Sequence, residues 1–323
     1  FGFRKEVSAL MFYVSTLYDA SNTTIDTYLD LQRWRTAYRC ISRVVQILNG
    51  HKNTLYELAP LVDVVDVVAS KSADLMKVEE EEEDAVPKNP NVLAVVGNLE
   101  AFVIKLEEEY IKSLQQTNPH TVEYVTRLSD EAHLIDLIEA VRLYYLRANK
   151  VDATAVMALM QVEHMYYKPN STALAIMRNK LFGRTSDLHP ASRGCAAPAA
   201  KADWSRVHPA SVSGDPSLRS VSFDPSQQIE DLCSFIYIHG SDRARTRALL
   251  CSVYHKSLHD HYYQARDLFL MSHIQDTVDK ADTKTQILYN RTLVTLGLSA
   301  FRMGLIKQAH DCLAGICSGR VKE

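Results

Sequence analysis

Apolar residues recur along much of this chain at alternating steps of three and four. Trp34, Tyr38, Ile41, Val45 and Leu48 fall on one helical stripe, and Asn49-Gly50 supplies a stop. A second helix is predicted between Asn91 and Gln116, with Val92, Val96, Leu99, Val103, Leu106 and Tyr110 on its buried face and Asn118-Pro119 ending it. From Val122 to Phe182 one helical pattern follows another. The stripes are Leu134, Ile135, Ile138, Val141 and Tyr145, then Val156, Leu159, Met160 and Tyr166, then Leu174, Ile176 and Leu181. Short breaks at Asn149-Lys150 and Pro169-Asn170 suit antiparallel neighbours.

Two segments interrupt this periodicity. Glu79 to Asp84, followed by Pro87 and Pro90, reads as a charged linker over 79–90 whose acidity serves solvation. From Gly183 to Pro225 five of the ten prolines gather with Ser, Ala and Gly and no apolar period, which predicts an irregular tether over 183–225. These breaks divide the chain into an N-terminal helical region, 1–78, a helical-repeat region, 91–182, and a C-terminal repeat region, 226–323. The last opens with a helix near Gln228 to His239.

The C-terminal region repeats itself. Gln264-Ala-Arg-Asp267 returns 44 residues later as Gln308-Ala-His-Asp311, and Arg247, Leu249 and Tyr254 move with it to Arg291, Leu293 and Leu298. A period in the forties belongs to two-helix repeat units, predicting hairpins over roughly Asp242 to His273 and Asp282 to Ile316. Ala265 and Ala309 are small enough to let the second helix of each pair approach the first closely. The expected architecture is all-α: a right-handed helical-repeat solenoid, TPR-like or HEAT-like, of stacked antiparallel hairpins.

Composition supports helix and narrows function. Apolar residues make up 46% of the 323, while eleven glycines and ten prolines are few for the length. With 36 basic and 39 acidic side chains the net charge is -3, so no global positive field draws the chain onto nucleic acid. Leu55 to Ala69 is interrupted by Glu57, Asp63 and Asp66, so no membrane span is expected. Six dispersed cysteines, without a C-x-x-C pair, predict reduced thiols and a cytoplasmic location. The chain opens on Phe1, as a segment of a longer protein would.

Three clusters carry candidate chemistry. His255, His259 and His261 have partial metal spacing, yet no glutamate follows His255 as a zinc-protease helix requires, so surface histidines around a tight turn are expected, with no metal and no cofactor. Arg35, Arg39 and Arg43, with Arg33 nearby, form a basic stripe suited to RNA or an acidic partner; a solvated face explains them equally well. Arg243, Arg245 and Arg247 stand at a predicted helix N-terminus, where the dipole opposes cations by a few tenths of a kcal/mol and an acidic partner would compensate. That partner is either external or internal, such as Asp267 or Asp276. No G-x-G-x-x-G, G-K-[ST] or G-x-S-x-G motif is present, so no enzyme is expected.

Particular motifs resemble the c subunit of eukaryotic translation initiation factor 3. They are Tyr263-Gln-Ala-Arg-Asp-Leu268, Leu270-Met-Ser-His273, Gln286-Ile-Leu-Tyr-Asn-Arg-Thr292, Ala300-Phe301-Arg302-x-Gly304 and the closing Ser318-Gly-Arg-x-Lys-Glu323. Upstream, Asn118-Pro-His-Thr121, Glu123-Tyr-Val125, Arg127-Leu128 and Asp130-Glu131 are similar to the same protein. The similarity is close from about Asn98 to Tyr167 and from Asp231 onward, weaker before Asn91, and absent through the tether. It implies a helical-repeat body of the kind that precedes a winged helix in proteasome-lid, signalosome and initiation-factor scaffold subunits. It also implies a non-catalytic scaffold that assembles the factor beside its a and e subunits and docks it on the small ribosomal subunit, through protein or rRNA, during 43S/48S preinitiation complex formation. Contacts with other initiation factors would fall in regions not contained here. Two readings compete: a scaffold of a related proteasome-lid or signalosome type complex, and a metal enzyme built on the His255 cluster.

Overall fold

In the computed structural model, which describes residues 3–21, 28–51, 54–58, 92–96, 98–174 and 224–317, the three-and-four spacing is realised as packed helices. The acidic linker, the tether up to residue 223 and the predicted stripe at Ile176 and Leu181 lie outside the described residues. The chain divides into two compact units, Phe1–Lys150 and Val151–Glu323.

In the first unit, α1 (Phe3–Ser21) packs along α2 (Leu31–His51), and α2 also meets α3 (Leu99–Gln116) and α5 (Glu131–Arg147), with α4 (Val122–Ser129) between them in sequence. The α2 stripe turns inward as its spacing predicts: Trp34, Ile41, Val45 and Leu48 are buried and Tyr38 is partly buried. Trp34 does more than fill space. Its Nε1 donates to the Leu106 carbonyl at 2.9 Å, and its ring stacks on Tyr38 with centroids 6.0 Å apart.

The second predicted helix begins late. Val92–Val96 is a strand, β2, paired in parallel with β1 (Thr54–Leu58) in register Thr54 to Val92 and Leu58 to Val96. Three valines in five residues favour the extended backbone. The helix starts only after Asn98, whose side chain accepts from the Ala101 amide at 3.2 Å and caps α3. Val103, Leu106 and Tyr110 then form its buried face as expected.

In the second unit, α6 (Val151–Met165) packs against α7 (Pro225–His239) and α8 (Asp242–Leu258). Burial runs almost round α6, through Ala153, Ala155, Met157, Ala158, Met160 and Val162, rather than along one stripe. Asp224 caps α7 by accepting from the Ser226 amide, with Pro225 in the first turn. Two hairpins follow, α8 with α9 (Tyr262–Met271) and α10 (Thr283–Arg302) with α11 (Ile306–Cys317).

The 44-residue period reappears in the backbone. Asp260 and Gly304 both adopt positive φ, at 61° and 78°. Each closes its helix by the same two bonds: Asp260 N to Ser257 O with His261 N to Lys256 O, and Gly304 N to Phe301 O with Leu305 N to Ala300 O. Each following helix then begins with an equivalent bond, Ala265 N to His261 O and Ala309 N to Leu305 O, both 3.0 Å.

Candidate functional site

The arginines predicted to form an outward basic stripe on α2 part company in the structure. Arg35 is buried, and its Nε and Nη2 reach both carboxylate oxygens of Asp130 at 3.2–3.4 Å. Asp130, wholly buried, lies at the junction of α4 and α5. Arg35 is therefore withdrawn from any interface: it stands three residues before Tyr38, at the edge of the inward face, and a distant carboxylate holds it there. Arg39 is partly buried, Arg33 is exposed, and Arg43 keeps an exposed pair with Glu6 at 2.9 Å.

A second buried cation lies beside this pair. Arg127 donates from Nε to Ser113 Oγ at 2.7 Å and from Nη2 to the Leu29 carbonyl at 3.0 Å, with its guanidinium 5.5 Å from the Trp34 ring centre. Burial lowers the Arg127 pKa, while the Asp130 charge pulls the other way. Nothing in local spacing marks Arg127 as buried. It sits in a segment notable in sequence only for its resemblance, and its partners are 14 and 98 residues away.

The arginines of α8 find acids within their own unit. Arg243 Nη2 meets Asp282 Oδ2 at 2.9 Å, Arg247 Nη1 approaches the same oxygen at 3.8 Å, and Arg247 Nε donates to Glu163 Oε1 at 2.6 Å. Arg245 pairs separately with Asp242 at 3.1 Å. Arg243 and Arg247 thus share an acid and Arg245 points elsewhere, as the helical spacing implies. The acids are Asp282 and Glu163, however, not Asp267, which pairs with Arg266, nor Asp276, which lies beside His273. Burial works against the Asp282 charge, but the Thr285 hydroxyl and Arg243 outweigh it and hold the carboxyl below its usual range. Arg243 and Arg245 remain largely exposed, whereas Arg247 is mostly covered.

His255 is buried rather than a surface residue. Its Nδ1 lies 3.2 Å from the Tyr166 carbonyl, which can only accept, so Nδ1 carries the proton. Nε2, 3.2 Å from Ser226 Oγ, is then the acceptor, and Ser226 in turn receives a bond from Asn170 Nδ2 at 2.9 Å. The chain Asn170, Ser226, His255, Tyr166 ties α7 and α8 to the segment after α6. Burial pushes the His255 pKa down, only partly offset by the Tyr166 carbonyl. His259, its ring 4.6 Å away, is lowered by burial and by His261. A cavity of about 130 Å³ opens here, lined by Ser226, Glu230, Lys256, His259 and His261 among others. His255, His259 and His261 all line this cavity, but both ring nitrogens of His255 are committed to protein. Among the described residues no group of three His, Cys, Asp or Glu is placed to hold a metal ion.

Ala265 and Ala309 are both buried on the second helices of their hairpins. Sequence spacing missed Gly297, where a Cβ would lie 2.9 Å from Leu313 Cγ; it permits a close approach of α10 to α11. Among the described residues no helix is long and apolar enough to cross a membrane.

Known proteins are similar to this chain over nearly its whole length. The family described as Eukaryotic translation initiation factor 3 subunit 8 N-terminus matches residues 4–323. The C subunit of eukaryotic translation initiation factor 3 from Coccidioides immitis is 31% identical over 325 residues, covering 98% of this chain and 33% of that protein. The same protein from Mycosarcoma maydis is 33% identical over 327 residues, covering 99% and 32%, and that from Neosartorya fischeri is 31% identical over 319 residues, covering 96% and 32%. The chain spans about a third of the length of these curated relatives.

Proposed function

The chain belongs to the family of the C subunit of eukaryotic translation initiation factor 3, and from that premise we propose that it is a non-catalytic scaffold segment of the factor. In this reading it helps hold the multisubunit assembly together beside the a and e subunits, in the cytoplasm, and contributes to docking it on the small ribosomal subunit in the 43S/48S preinitiation complex. The observation that carries the reading is the family match across residues 4–323, which favours it over a proteasome-lid or signalosome scaffold. Stacked helical hairpins in the second unit suit the role, because such arrays expose long surfaces while each repeat is held by its neighbours.

Within the scaffold, Arg243 and Arg245 are the proposed points of contact with rRNA phosphate or an acidic subunit, since both keep much of their side chain in solvent. Arg39 and Arg43 are a second such place, now without Arg35. Affinity purification of the tagged protein tests the whole reading: small ribosomal subunits and other subunits of the factor should come with it. Recovery of proteasome-lid or signalosome subunits instead would overturn it. For the arginines, Arg243→Gln with Arg245→Gln should weaken ribosome association and flatten its salt dependence while costing about 1 kcal/mol or less of stability, since both ion pairs are exposed. A fall in melting temperature with association intact would remove this face from the interface.

A further inference from the structure

Ser226, in the first turn of α7, has its hydroxyl held in one orientation. His255 Nδ1 gives its proton to the Tyr166 carbonyl at 3.2 Å, so the ring turns an unprotonated Nε2 towards Ser226 Oγ, also at 3.2 Å. Asn170 Nδ2 donates to the same oxygen at 2.9 Å, which leaves the hydroxyl hydrogen to point at Nε2. A serine, an imidazole and an acceptor behind the imidazole therefore stand in the order that activates a serine nucleophile: the base reaches the hydroxyl proton, and the third group fixes its tautomer. Here the third group is a main-chain carbonyl just after α6.

The surroundings suit attack on a carbonyl carbon. Ser226 is only partly buried, and both it and His255 line the cavity of about 130 Å³. A space of that size takes a short acyl group and no more, since sites for larger ligands run from about 300 Å³ upward. Ser226 also lies at the positive end of the 15-residue α7, where the helix dipole favours the oxyanion that such an attack creates. Burial leaves His255 unprotonated at neutral pH. His259 at the end of its own helix and Lys256 push the same way, while the Tyr166 carbonyl and Asp224 before α7 push back. Glu230 of α7 is paired with Lys256 at 2.5 Å, and His261, the remaining titratable group of the cavity, acts on His259.

We propose that Ser226 is a modification site: a nucleophilic serine that accepts a short acyl group from an activated ester or thioester, with His255 as its general base. Oγ adds to the carbonyl carbon as its proton passes to Nε2. Collapse of the tetrahedral adduct breaks the bond to the leaving oxygen or sulfur, which takes that proton from Nε2 and departs as an alcohol or thiol. The products are an ester on Ser226 and a neutral His255, with nothing oxidised or reduced. The step loads one acyl group onto the chain and asks for no turnover, so it goes beyond the scaffold reading without depending on it.

The test treats the complete gene product with a fluorophosphonate and, separately, with p-nitrophenyl acetate, and maps the adducts by peptide mass spectrometry. Ser226 should take each label about a hundredfold faster than Ser234, an exposed serine two turns along the same helix. The Ser226 rate should rise as pH climbs through the lowered His255 pKa and be flat well above 6.5. In urea its advantage over Ser234 should vanish, and in His255→Gln it should fall to the Ser234 rate. The pH profile needs no substitution, so it decides the matter even where His255→Gln does not fold. Equal rates at the two serines in the folded protein overturn the proposal, as does a Ser226 rate indifferent to pH between about 5 and 7.5. Phosphonate labelling without acetylation overturns the assignment of an acyl group.

Discussion

Removing the Arg35 side chain should cost far more than removing any exposed arginine of α2. Arg35→Met keeps the aliphatic length but leaves the wholly buried Asp130 without the guanidinium that contacts both its oxygens at 3.2–3.4 Å. Breaking a buried pair from one side costs about 3–5 kcal/mol, because the remaining charge stays desolvated. Arg43→Met, which loses only the exposed contact with Glu6, should cost about 1 kcal/mol or less. Typical domains are stable by only about 5–15 kcal/mol, so Arg35→Met removes a large share of the first unit's margin. Urea unfolding followed by Trp34 fluorescence, in a Trp204→Phe background, reads that unit selectively because Trp34 is buried in it. At a slope near 2 kcal/mol per M, the midpoint should fall by about 1.5 M or more. Adding Asp130→Leu should recover part of the loss, with a coupling of about 1 kcal/mol or more. A midpoint for Arg35→Met no lower than that for Arg43→Met would refute the reasoning.

Three further outcomes follow from the second unit. His255 and His259 have pKa values held below the ordinary 6.5, so the unfolded chain binds protons before the folded one does. Their contribution to stability is complete above pH 6.5 and is lost as pH falls through the folded-state values; urea midpoints between about pH 7.5 and 5 should decline, and less steeply in His255→Gln. Ala265→Leu and Ala309→Leu should each destabilise by about 1–3 kcal/mol through overpacking, and unchanged melting temperatures in both would contradict the close helix approach. Arg247→Ala should lower stability by about 1–3 kcal/mol by removing the mostly covered 2.6 Å bond to Glu163, whereas Arg245→Ala should stay within about 0.5 kcal/mol; equal effects in thermal unfolding would refute the distinction.

Local periodicity revealed which residues of α2 and α3 point inward, and the 44-residue offset located both hairpins and their turn. Those features depend on neighbours three or four residues away, or on a shift that can be read by sliding the chain along itself. The start of α3 was legible only in part: Val92 and Val96 fit a helical stripe by spacing, but the Asn98 cap and the valine-rich run decided otherwise. Charge pairing was less accessible. Arg35 and Asp130 are 95 residues apart, and Arg247 and Glu163 are 84 apart. A helical wheel can say that Arg35 borders the buried face, but not that a carboxylate waits beneath it. The histidines illustrate the same limit: His255 and His259 share a face by spacing, while the groups that hold the His255 ring, Tyr166 and Ser226, come from other elements.

The turn between α8 and α9 places Asp260 in a left-handed conformation that glycine occupies, at no steric cost, in the next repeat. Aspartate at this position carries a function that glycine lacks, since its carboxylate takes Arg302 Nε at 2.6 Å while Arg302 Nη2 binds the Ser257 carbonyl of the same helix end. The last residue of α10 therefore closes the turn of the preceding hairpin. Each repeat thus braces the corner of the one before it, so a substitution at Arg302 acts on the α8–α9 turn as well as on its own helix end.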